Sequence, residues 1–194
     1  MIEFSTWEWI RASGLSAYFL LFISICFGIM QNMSIIPRNI GKHFLVIHQT
    51  AGWLAFLFAF LHGFLLYFDR YQPFSLLEIF VPFLAKYKPF FTGLGIISFY
   101  SMFLLFLTSD LLKKVGRNIW KTVHLLILPN FIFASIHGMF VGSDADETWV
   151  KIIYISSISI FLLLMIFRFL TKPPKHLKNH HNEGGKDVYS LGRR

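Results

Sequence analysis

A single cysteine, Cys26, stands in the whole chain, which leaves no internal disulfide and no thiolate metal cluster within one chain. Set inside an apolar run, Cys26 reads as a small buried hydrophobe. Charge is nearly as scarce. Asp, Glu, Lys and Arg together make 14% of the residues, where soluble domains carry about 25%. Acidic residues are the rarer sign, 10 against 18 basic, for a formal charge of +8. The basic residues lie in short stretches between apolar runs, which suits membrane orientation and not nucleic-acid binding. A positively charged leader is missing too: Glu3 and Glu8 precede the first apolar run, so a cleavable signal peptide is not expected. The 194 residues are expected to hold one compact membrane domain and no nucleotide-binding reductase module.

What the chain has in quantity is apolar surface: 55% hydrophobic residues, 24 of them phenylalanine. The apolar runs fall at about 10–30, 44–68, 91–107, 119–140 and 149–170. Each is close to the roughly 20 residues a helix needs to cross a bilayer, and Trp7 and Trp9 are placed as interfacial anchors for the first. Between the second and third runs, Ser75-Leu-Leu-Glu78 has the form of a capping box, with Phe74 positioned to staple against Ile79. A helix from there to Leu84 is too short to cross and is expected at the interface, where Pro82 and Pro89 separate it from the third span. Its apolar residues would either cover a cofactor edge or fill a long loop. The fold class that follows is all-α, a polytopic membrane helix bundle of about five transmembrane helices plus a short interfacial helix. Residues 1–171 form the membrane domain, and 172–194 form a basic tail expected to be disordered on the cytoplasmic side. His176, His180 and His181 in that tail read as part of a solvated, lipid-facing basic segment.

Loop charge sets the expected orientation. Arg38 and Lys42 separate spans one and two, Lys113, Lys114 and Arg117 separate three and four, and Arg168, Lys172, Lys175 and Lys178 follow the fifth. Glu3, Glu8, Asp144, Asp146 and Glu147 mark the opposite side, against a weaker vote from Arg70, Lys86 and Lys88. The positive-inside rule then puts the N-terminus outside and the C-terminus in the cytoplasm of a multi-pass cell-membrane protein.

Histidine supplies the chemistry. His48 and His62, fourteen residues apart, end an otherwise apolar stretch, so in a helix they lie about 21 Å apart and within roughly 40° of one face. His124 and His137 form a second pair, thirteen apart, with Pro129 between them. On an ideal helix thirteen residues turn the rings about 140° apart, and rewinding at the proline would realign them. Spans two and four run in the same direction, so His48 matches His124 in depth and His62 matches His137. Unpartnered imidazole in hydrocarbon costs several kcal/mol, and two matched pairs suggest two stacked metal or haem sites. Zinc wants a tight tetrahedral cluster, and no cysteine or carboxylate falls at membrane depth to complete one. Haem suits the pattern better, with one axial histidine from each of two parallel helices and Phe-rich surroundings. Gly52, Gly63 and Gly138 would give the ring room, and Arg38, Lys42, Arg117 and Lys121 lie near enough to the cytoplasmic pair to neutralise propionates.

The chain resembles the ferric reductase-like transmembrane family, which includes NADPH oxidases, ferric reductases and MsrQ-type haem membrane subunits. The resemblance is carried by Arg11-Ala-Ser-Gly14-Leu-Ser-Ala, by the stretch from His48 to His62, and by Leu107-Thr-Ser-Asp110. Its most specific part is Gly116-Arg117-Asn-Ile-Trp120-Lys-Thr-Val-His124 with His137 following. The resemblance implies two b-type haems, His48 and His124 holding the inner one and His62 and His137 the outer, with the family's fourteen and thirteen steps kept. It implies a membrane cytochrome b that passes electrons from a cytoplasmic-side donor, a flavoprotein or a quinol, to an outer acceptor. Ferric iron, oxygen and an oxidised protein remain open as that acceptor. MsrQ-type members lack the histidine corresponding to His48, so its presence here favours two haems over one. Two alternatives stay open: a single-haem subunit of an extracytoplasmic reductase, and a non-redox membrane protein that binds haem or metal for transport or sensing.

Overall fold

The computed structural model describes residues 5–31, 33–142 and 144–171. The tail from 172, with His176, His180 and His181, lies outside the described residues. Eight helices make up the described chain: α1 (Thr6–Met30), α2 (Arg38–Leu66), α3 (Leu76–Phe80), α4 (Pro89–Asp110), α5 (Leu112–Val115), α6 (Arg117–His124), α7 (Ile127–Val141) and α8 (Thr148–Leu170). Five spans, with α6 and α7 together making the fourth, are long and apolar enough to cross a membrane. The all-α polytopic bundle expected from the sequence is the fold observed. Large apolar side chains such as Phe19, Leu163, Phe169 and Leu170 stand bare on its outside. That surface is costly in water and free of cost against lipid tails, so the multi-pass membrane assignment follows from packing as well as composition.

Local chemistry sets the helix ends. At the start of α1, the Ser5 side chain accepts from the Glu8 amide and Glu8 reaches back to the Ser5 amide, a reciprocal cap. The same arrangement opens α3, where Ser75 and Glu78 close the expected capping box. That short helix ends at Phe80 and not at Leu84. Val81 precedes Pro82 and is extended (φ −101°, ψ 114°), as the proline ring requires of the residue before it. Gly116, at φ +81°, turns the chain between α5 and α6 in a region closed to side chains with a Cβ.

The fourth span is broken. Its helix stops at His124 and resumes at Ile127, two residues ahead of Pro129. A proline lacks an amide hydrogen and its ring collides with the carbonyl one turn earlier, here that of Leu125. The chain answers with tight i to i+3 bonds, Leu126 to Val123 at 2.9 Å and Leu128 to Leu125 at 3.1 Å. The break lies between His124 and His137, where rewinding was expected.

Two antiparallel pairs organise the bundle, α1 with α2 and α4 with α6–α7, and α8 packs on α1 and α7. Their shared core holds Tyr18, Leu21 and Ile25 of α1, Ala55 of α2, Met102 of α4, Phe131 of α7, and Val150, Tyr154 and Phe161 of α8. The Tyr18 hydroxyl bonds Ser135 at 3.1 Å and also Ser157, tying three helices at one buried point. The α6–α7 span runs parallel to α2, with His124 beside His48 and His137 beside His62.

Candidate haem-binding histidine pairs

All four sequence-selected histidines are brought together in the expected pairs. His48 and His124 have ring centroids 6.1 Å apart with planes at 73°. His62 and His137 stand 6.3 Å apart with planes at 79°. Two imidazoles bound to opposite sides of one metal, each nitrogen about 2.0–2.1 Å from it, have ring centres about 6.3 Å apart. Both pairs therefore stand at the spacing of ligands that share one metal. No group of three or more His, Cys, Asp or Glu that could hold a metal ion occurs among the described residues.

Hydrogen bonding prepares three of the rings for that role. His62 Nδ1 donates to the Ile10 carbonyl at 2.9 Å, His48 Nδ1 to the Ser24 carbonyl at 2.9 Å, and His137 Nδ1 to the Phe91 carbonyl at 3.0 Å. A carbonyl only accepts, so in each ring Nδ1 holds the hydrogen and Nε2 keeps its lone pair for a metal. Metal-bound histidines are oriented and made more basic by this kind of bond.

Each of these three rings also lies against a glycine four residues beyond its carbonyl. A Cβ at Gly14 would stand 3.0 Å from His62 Nδ1, one at Gly28 2.9 Å from His48 Nδ1, and one at Gly95 2.6 Å from His137 Nδ1. The socket is thus a pair, a carbonyl at position i and a glycine at i+4, repeated at 10/14, 24/28 and 91/95. On α1 the two sockets are fourteen residues apart, matching the fourteen between His48 and His62 on the antiparallel α2. The backbone acceptors were not legible in the sequence, but the step from Gly14 to Gly28 was a signal available to be read. Of the glycines singled out from sequence, Gly63 and Gly138 line the adjoining cavity, whereas Gly52 faces Ser24 and Phe106.

A cavity of about 590 Å³ opens around the second pair, bordered by Arg11, Gly14, His62, Glu78, His137 and Tyr154 among others. Ligand pockets run to about 300–1,000 Å³, so the volume suits a large planar cofactor. Leu76, Ile79 and Phe80 of α3 also border it. Arg11 pairs with Asp144 at the cavity's edge, its guanidinium between the Trp7 and Trp149 rings at 5.2 and 5.9 Å. Sequence reasoning missed this pair because its members lie on different elements far apart in the chain.

Arg38 and Lys42 stand in the first turns of α2, and Arg117 and Lys121 in α6, all exposed at the end of the bundle nearest His48 and His124. They flank the first pair and leave the second to Arg11.

A bundle with paired imidazoles at two depths defines a class, the multi-pass membrane proteins that hold redox groups between helices. The family model described as ferric reductase like transmembrane component matches residues 13–135, and the chain belongs to that family. No curated protein and no solved structure matches it. Membership marks the chain as a membrane electron-transfer component.

Proposed function

We propose that the chain is a membrane cytochrome b that carries single electrons from a cytoplasmic-side donor to an outer acceptor through two bis-histidine b haems. What carries the reading is the pairing itself, two sets of imidazoles at 6.1 and 6.3 Å centroid spacing on parallel helices. His48 and His124 would hold the inner haem, and His62 and His137 the outer. When bound, each haem supplies an iron that cycles between ferric and ferrous states. The protein's part is to hold the rings in register, to exclude water with Phe-rich walls, and to set potentials through ligand basicity and burial. Arg38, Lys42, Arg117 and Lys121 offset the inner propionates, and Arg11 serves the outer cavity. The positive-inside rule applied to the basic loops supports an orientation with the inner pair near the cytoplasmic face and the N-terminus outside. The donor is a flavoprotein or membrane quinol docking there.

The test is a reduced-minus-oxidised difference spectrum of the purified chain, with haem content per chain. Two b haems per chain are expected; none would overturn the reading. The cavity borders His62 and His137 but not His48 and His124, and this favours as second reading a single-haem subunit of an extracytoplasmic reductase. One haem per chain, lost in His137→Ala and kept in His124→Ala, would establish it.

A further inference from the structure

The fourth histidine has no socket. Counting the α4 repeat onward by fourteen from Phe91 and Gly95 leads to Leu105 and Ser109, and Ser109 meets Trp120, one turn before His124, on the facing helix. Serine stands where the other three positions have glycine. Its hydroxyl donates to the Leu105 carbonyl at 2.7 Å, occupying the acceptor that the histidine of a complete socket would use. Thr108 adds a second, longer bond to the same carbonyl at 3.2 Å. His124 Nδ1 is buried and has no hydrogen-bond partner among the described residues. A different device holds the ring: Trp120, one turn earlier, stacks on it at 4.8 Å, and its indole Nε1 donates to Ser109 Oγ at 3.1 Å.

We infer that His124 is the displaceable ligand of the inner pair, opening there a binding position for a small neutral diatomic ligand, and that Ser109 and Trp120 are the positioning residues responsible. This rests on the two-haem reading above. An outer bond to the second imidazole nitrogen fixes the ring's direction and raises its donor strength, and loss of such a partner typically costs 10–100-fold in metal affinity. Three of the four imidazoles have that bond and one does not. A competing ligand for ferrous iron therefore displaces His124 first, while the outer haem, anchored on both sides, stays closed. A stacked indole restricts tilt, but it neither fixes the tautomer nor adds basicity.

The experiment uses the purified full chain, its haem content measured first, and carbon monoxide as the probe. In the dithionite-reduced protein, one of the two haems is expected to bind carbon monoxide at least about 10-fold more tightly than the other. Ser109→Gly removes the hydroxyl and completes the carbonyl and glycine pair, so it should weaken that binding by about 10–100-fold and lower the midpoint potential of the same haem only. Trp120→Phe keeps a stacked ring but drops the tie to Ser109, and should strengthen binding. Two haems per chain with no carbon monoxide binding would overturn the inference while leaving the haem assignment intact. So would binding that Ser109→Gly leaves unchanged. A preparation without haem would overturn the two-haem reading, and this inference with it.

Discussion

A methyl group on Gly95 would stand 2.6 Å from the imidazole of His137, closer than side-chain carbons approach any neighbour without displacement. The ring is caught between that glycine and the Phe91 carbonyl it donates to at 3.0 Å. Gly95→Ala therefore has to push the imidazole off its acceptor, and with it off the line to His62. The expected result is loss of most of the haem at the His62 end, in keeping with the 10–100-fold affinity cost of a lost outer partner. Haem per chain, measured on the variant and on the parent protein, checks this.

The two sites draw on different sockets, so they should empty separately. On the proposed two-haem reading, His137→Ala removes one ligand of the outer haem and leaves His48 and His124 untouched. Haem content is expected to fall from two per chain to one, with the remaining difference bands unchanged. Loss of both haems together would show that the sites are not independent.

These sites were legible to the degree that side chains announce them. Five apolar runs, the Ser75 and Glu78 cap and four histidines at matched depth are written in residue identity, and each is where it was expected. The break in the fourth span was half legible: Pro129 foretold it, but the break lies at Leu125 and Leu126 because a proline acts on the carbonyl one turn back. The carbonyls of Ile10, Ser24 and Phe91 were not legible, because every residue has one and only tertiary contact selects which is used. Arg11 and Asp144 were hidden for a similar reason, since a pair of opposite charges so far apart in sequence leaves no local pattern.

Tyr18 allows hydrogen bonding to be weighed against packing. Its hydroxyl bonds Ser135 and Ser157, and its ring contacts Phe131 at 5.6 Å and Tyr154 at 4.4 Å. Tyr18→Phe keeps the ring. With the phenol hydroxyl gone, each serine hydroxyl can donate to its own helix carbonyl, that of Phe131 or Tyr154, so neither is orphaned. Interhelical hydrogen bonds in membranes average about 0.6 kcal/mol, so the loss should be about 1 kcal/mol. Tyr18→Ala also deletes a buried aromatic and should cost about 3–5 kcal/mol. Unfolding of both variants in mixed detergent gives the comparison, and equal losses would mean the hydroxyl dominates.

Glu78 makes the cover over the outer cavity sensitive to acid. Its carboxyl is held below the usual range chiefly by the Ser75 amide, then by the Ser75 hydroxyl and the Lys86 amide. A carboxyl whose folded value is depressed contributes stability that is complete above its unfolded value, about 4.3 for Glu. That contribution disappears as pH falls through the lower, folded value. The segment from Ser75 to Lys86 should therefore stay closed from neutrality down through the ordinary glutamate range, and loosen only in stronger acid. Glu78→Gln keeps the shape but has no charge to lose, so its cover should be looser at neutral pH and indifferent to acid. Proteolytic cleavage within 75–86, followed against pH in detergent for both proteins, measures this. Parallel acid responses in the two would assign the loosening to some other group.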